Sequence, residues 1–176
     1  MSLHGVNTTI WTTTMAVIGA VGIVVRIFVR ITVIPGLELT PGFMFSMLGG
    51  IVGGLPGGIV VGSIVGIGGA IAGGETPLLP LIGNICLGVG TGIGFYVDTN
   101  RNSLRYYTSV IVGGTVIGGF IPTLTIFSGF EFVAALIPAL ADAFQAFIWA
   151  VLALLIDLRM VRPLLGPHLY LSEGQN

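Results

Sequence analysis

Lysine is absent from this chain of 176 residues: all six basic residues are arginine, and a formal net charge of -1 leaves no basic patch with which to hold nucleic acid. Charged residues make up only 7% of the sequence, against roughly a quarter in a soluble domain, which excludes a fold solvated by water. Cysteine is nearly absent too. Cys86 stands alone inside an apolar stretch, so neither a disulfide framework nor a thiolate metal cluster is available. No Lys or Arg precedes the first apolar run and more hydrophobic segments follow it, so a cleaved signal peptide is not expected. His4 and His168 have no second ligand at metal spacing. No metal or cofactor is implied.

What remains is apolar: 54% of residues are hydrophobic, and the mean hydropathy is +1.05. Each crossing of a bilayer by a helix needs about 20 apolar residues, so six crossings would use most of the chain and leave only short connections. The expectation is an all-α integral membrane protein, one membrane domain in a compact bundle of about six transmembrane helices. Apolar runs between charge and Pro/Gly punctuation place the spans near 10–31, 41–55, 57–73, 77–97, 106–126 and 132–156. Only Leu55-Pro56-Gly57 parts the second from the third. That is enough for a tight helical hairpin, because Pro breaks the hydrogen-bond ladder and Gly relaxes the backbone.

Arg101 and Arg105 share one polar connection, and Arg159 and Arg162 follow the last span. With six spans these four lie on one side, which the positive-inside tendency makes cytoplasmic, with both chain ends. Arg26 and Arg30 dissent, sitting toward the outer end of span one. Trp11, Tyr96, Tyr106 and Tyr107 fall near inner boundaries, where amphipathic rings favour the interface.

Small residues recur every fourth position at Gly50, Gly54, Gly58, Gly62, Gly66, Ala70 and Gly74, with shorter echoes at Gly88/Gly92 and Gly114/Gly118. Helical spacing puts each set on one face. Close van der Waals approach drives helix association in lipid, so spans two and three are expected to pack backbone to backbone. Plain helix packing explains the ladder; a glycine-zipper pore or a sliding surface for a partner is the sharper reading.

The stretch Ala16-Val17-Ile18-Gly19-Ala20, the connection Ile34-Pro35-Gly36-Leu37-Glu38-Leu39, the hairpin through Gly53-Gly54-Leu55-Pro56-Gly57-Gly58, and a last span from Ile137-Pro138-Ala139-Leu140 to Asp157-Leu158-Arg159 resemble the substrate-binding (S) component of energy-coupling-factor (ECF) vitamin transporters. The resemblance implies about six helices, cytoplasmic termini and an outward pocket for one micronutrient. It also implies docking of an Ala-x-x-x-Ala face, matched by Ala16 and Ala20, on a transmembrane coupling protein driven by two ATPases.

On that topology Glu38, Glu75 and Glu131 fall in outward connections, and Asn84, Asp142 and Gln145 in the outer parts of spans four and six. An ionisable side chain at membrane depth costs ~2.5–3.5 kcal/mol even on the translocon scale, so Asp142 and Arg26 need partners. Asp142 reads as a ligand-binding group, a structural pair with Arg26, or a cap after Pro138. Arg30 reads first as snorkelling to headgroups, the three glutamates as solvated loop residues, and Asn84 equally as interhelical glue or substrate contact. All eight are candidate substrate-binding residues.

No nucleophile, base and orienting group can be assembled, and Gly88-Val89-Gly90-Thr91-Gly92 lacks the lysine of a phosphate loop. Enzyme chemistry is not expected. The leading expectation is a plasma-membrane subunit that captures a small water-soluble nutrient and works with a separate ECF-type coupling protein and ATPase subunits. The alternative is a self-associating glycine-zipper channel or scaffold. Reporter fusions at the two ends are expected to place both in the cytoplasm; ends on opposite sides would remove the outward polar layer.

Overall fold

Asn7 opens the first helix by accepting the Ile10 N–H at 3.2 Å, and α1 runs over Thr8–Phe28. The computed structural model describes residues 7–29, 31–34, 37–74, 76–127, 129 and 132–169. Arg30, Glu75 and Glu131 lie outside the described residues. After α1 the β-branched run Ile31–Ile34 (β1) pairs antiparallel with Leu37–Leu39 (β2), Ile31 opposite Leu39. The sequence reading had only a connection here; β-branched residues fit a pleated ribbon better than a helix.

Residues Gly42–Gly73 form α2, which is broken at Gly54, where φ is 66° and ψ is -160°. That conformation is essentially restricted to glycine. Pro56 adds to the break, having no N–H to return to the Val52 carbonyl. Along a continuous helix Gly49 and Gly57 would stand about 12 Å apart, yet a Cβ on Gly57 would meet the Gly49 carbonyl. Paired neighbours repeat the relation on both sides of Gly54. Gly50 and Gly58 both face Gly88, Gly22 sits between Phe45 and Val65, and Gly42 and Gly69 both flank Arg26. The segment is therefore folded in half, with its bend at Gly54, just before Leu55-Pro56-Gly57.

The remaining elements are α3 (Leu78–Gly92), α4 (Gly94–Val97), α5 (Leu104–Gly113), α6 (Phe132–Ile156) and α7 (Arg162–Leu169). Wide π turns over Gly114–Phe120 and Thr123–Phe127 extend α5, and one over Asp157–Val161 joins α6 to α7. Among the described residues five helical stretches are long and apolar enough to cross a bilayer: Thr8–Phe28, Gly42–Ile71, Leu78–Val97, Leu104–Ile126 and Phe132–Leu169. The expected second and third spans both lie in Gly42–Ile71. The last stretch runs well beyond residue 156, so that Arg159 and Arg162 are helical.

The fourth-position ladder is used inside the chain. Cβ atoms at Gly58, Gly62 and Gly66 would strike the backbone of Gly88, Asn84 and Leu81, and one at Gly92 would strike that of Gly54. Backbone-to-backbone approach occurs within the hairpin as expected, but the ladder itself faces α3. Gly90 meets Gly113 in the same way, bringing α5 onto the other side of α3.

Breaking the helix at Gly54 strands backbone carbonyls, which must find donors where water is scarce. The Ile51 carbonyl accepts from Arg101 Nη2 at 2.8 Å and from the Tyr106 hydroxyl at 3.3 Å. Asp157, 1% exposed, holds Arg101 (3.2 Å) and Arg162 (2.5 Å) together. Arg162 in turn donates to the Arg101 carbonyl and to Asn102 Oδ1. Tyr106 is consequently buried rather than at a lipid interface. Trp11 packs beside Gly53 at this same end, and the Asn7 N–H reaches the Leu169 carbonyl at 3.4 Å. Both ends of the described chain thus meet near the bend.

In the connection after α4, Ser103 donates to Asp98 at 2.5 Å and caps α5 through the Tyr106 N–H. The Ser103 hydroxyl, then the Asn100 N–H, hold the Asp98 carboxyl below its ordinary value. A depressed folded value means that this contribution is present at neutral pH and is lost as pH falls through it.

Gly58→Val should lower the midpoint of unfolding in micelles by an amount equivalent to about 1–3 kcal/mol of overpacking, whereas Ile59→Val, on the exposed side of the same turn, should change little. Asp157→Ala leaves two arginines without their common carboxylate and should cost about 3–5 kcal/mol; wild-type stability in that variant would contradict the clamp.

Candidate functional site

Away from the bend, α1, the first arm of α2, α3, the π turns after α5, and α6 surround a cavity of about 500 Å³. Its polar lining is Arg26, Thr76, Asn84, Thr123 and Asp142, and its apolar walls include Phe43, Leu79, Pro80, Leu87 and Ala146. Gly118 and Gly119 complete one wall. A Cβ on Gly119 would press on Ala146 and on the Asp142 carbonyl, so α6 can approach the π turn only because that side chain is missing. π turns are often found at functional sites.

Each polar group is held by a neighbouring element. Asp142 accepts from the Thr123 hydroxyl at 2.6 Å and from Gln145 Nε2 at 3.1 Å. Gln145, 4% exposed, turns its other end to the Thr40 N–H at 3.1 Å. The first arm of α2, residues 42–53, is only about 18 Å long, so the backbone entering it stands at membrane depth. There an unanswered N–H costs several kcal/mol, and Gln145 answers it.

Asn84 is buried at 1% exposure. It accepts from Ser46 at 2.8 Å and donates to the Pro80 carbonyl at 2.8 Å, so it does serve as interhelical glue while lining the cavity. Arg26 threads between Gly42 and Gly69, whose missing side chains make room for it, and Nη1 lies 3.4 Å from the Val65 carbonyl.

Of the eight residues singled out in the sequence, Arg26, Asn84 and Asp142 converge on this cavity and Gln145 braces Asp142 from behind. Glu38 belongs to β2, and its side chain, like Arg30, Glu75 and Glu131, lies outside what is described. The ion pairs between described residues are both made by Asp157; Asp142 is held by neutral donors. Ala16 and Ala20 are exposed on α1.

Sequence reasoning passed over Thr123, Ser46 and Phe43. Ile121-Pro122-Thr123 carried a signal, since a hydroxyl beside a helix-breaking proline in an apolar span needs a partner. It also missed the clamp on Asp157, although a carboxylate ending an apolar run and followed by Arg159 and Arg162 was visible.

Helices of this length and hydropathy, with polar side chains turned inward onto one another, define a multi-pass membrane protein. Comparison with protein-family models, with curated proteins and with solved structures finds no match. The likeness to S components therefore rests on the residues quoted above.

Proposed function

We propose that this protein is the membrane-embedded substrate-capture subunit of an ATP-driven importer of the energy-coupling-factor type. It takes up a small water-soluble nutrient, a vitamin or a precursor, and depends on a separate coupling membrane protein and ATPase subunits for energy, with no chemistry of its own. One observation carries the reading. Arg26, Asn84 and Asp142, far apart in sequence, line a single cavity of ligand size in the half of the bundle away from the chain ends. Sites of this kind are concave and mostly apolar, with a few fixed polar groups.

The arginine-rich end then faces the cytoplasm and the cavity faces outward, in accord with the positive-inside tendency. The exposed Ala16/Ala20 face of α1 offers a smooth surface for the coupling protein. The glycine-zipper alternative loses its main support, because the ladder that would build an oligomer interface is occupied by α3.

Purification under mild conditions is expected to bring down a coupling membrane protein and ATPases with a monomeric capture subunit, and Ala16→Trp should break that assembly. Asp142→Ala should weaken ligand binding by about tenfold or more, the value of a charged hydrogen bond, without preventing insertion. A homo-oligomer that conducts ions would contradict the proposal.

A further inference from the structure

The arginine-rich end of the bundle carries a surface separate from the cavity, and what it binds is independent of the capture reading. We propose that Arg105 and Arg159 dock the headgroups of anionic phospholipids, lipids with a phosphate and no amine, at that boundary of the membrane.

The four arginines at this end divide into two pairs. Arg101 and Arg162, 14% and 19% exposed, turn inward and share the Asp157 carboxylate. The Ile51 and Arg101 carbonyls and Asn102 take up more of their donors. Arg105 and Arg159 are exposed, and neither side chain makes an ion pair or a hydrogen bond among the described residues. Asp98 is the acid that the charge of Arg105 reaches. Its carboxyl is lowered first by the Ser103 hydroxyl, then by the Asn100 N–H, and less by Arg105. An exposed neighbouring charge of that kind is worth little in water.

The buried pair places the exposed pair. Asp157 holds Arg101 at 3.2 Å and Arg162 donates to Asn102 at 2.7 Å, which lays the connection before α5 against the turn between α6 and α7. Arg105 and Arg159 therefore lie at one end of the bundle. Arg159 stands two residues beyond Asp157, on the other side of the turn, and faces out as Asp157 faces in. Arg105 precedes the buried Tyr106 in the first turn of α5.

Each of the two has an exposed apolar neighbour. Leu104, 79% exposed, precedes Arg105, and Met160, 57% exposed, follows Arg159. At the end of a span such side chains enter the acyl chains while the arginine reaches up to the phosphates. The planar guanidinium fork matches two phosphate oxygens at once. A zwitterionic headgroup brings its own ammonium to the same place and loses most of that attraction, whereas an anionic one keeps it. Each exposed basic residue near an anionic lipid surface is worth about fivefold in preference.

The test uses the full chain in micelles of a neutral detergent, with phosphatidylglycerol or phosphatidylcholine of the same acyl chains added and the retained lipid counted by native mass spectrometry. Wild type should retain phosphatidylglycerol about fivefold or more over phosphatidylcholine. Arg105→Gln and Arg159→Gln should each reduce that preference, and the double variant should lose most of it, with no change in the unfolding midpoint in lipid-free micelles. Raising the salt from about 0.05 M to about 0.5 M should weaken the preference of wild type, a measurement that needs no variant.

Equal retention of the two lipids by wild type, an unchanged preference in the double variant, or a preference insensitive to salt would overturn the assignment. Displacement of phosphatidylglycerol by equimolar inorganic phosphate would give the two arginines to a free anion. Loss of a co-purifying protein, instead of lipid, from the double variant would give them to a protein partner. Either result contradicts a lipid surface.

Discussion

The absence of Cβ atoms along one row of α2 is the constraint on which the rest of the molecule depends. Lipid gives little hydrophobic reward for bringing helices together, so they must gain contact by approaching closely. At Gly58, Gly62 and Gly66 the backbone of α2 lies on the backbone of α3, and a single added carbon at any of them would strike main-chain atoms that cannot move aside. The same economy of side chains lets α2 double back on itself at Gly54. One short stretch of sequence thereby supplies two helical arms, and the first of them, through Phe43 and Ser46, reaches the cavity and its neighbour Asn84.

Folding a helix in half within a membrane has a cost in unanswered backbone groups, and the chain meets it at both ends of the first arm. At the bend, the Ile51 carbonyl is answered by Arg101 and Tyr106, and Arg101 is held by Asp157 and faces the Phe95 ring at 4.9 Å. At the other end, the Thr40 N–H is answered by Gln145, which also orients Asp142. At that end the group that makes the hairpin tolerable at membrane depth is also one that fixes the cavity's carboxylate, so structure and site share Gln145.

Much of this was legible in the sequence. Hydropathy and punctuation located the helical stretches because the bilayer sets their length, and Pro56 with its flanking glycines marked the fold-back to within a few residues of Gly54. Arg26, Asn84 and Asp142 stood out because charge and amide in an apolar run demand partners. What could not be read was which partners. The pairing of Asp142 with Thr123 and Gln145, instead of Arg26, depends on a π turn that widens α5 beyond ordinary helical periodicity. The β1–β2 ribbon and the continuation of the last helix through Asp157 were missed for different reasons. The ribbon pairs residues close in sequence, but its short strands flank a Pro-Gly connection that reads as a loop; the helix through Asp157 depends on a contact distant in sequence, that of Asp157 with Arg101.

Spin labels on Thr40 and Thr76, with Cys86 replaced by alanine, measure the central claim most directly. Thr40 is engaged through its backbone N–H and carbonyl, so a label on its side chain leaves those bonds in place. The folded hairpin predicts a separation below about 25 Å between the two positions, whereas an unbroken helix through Gly54 would hold them roughly 50 Å apart and would contradict the account.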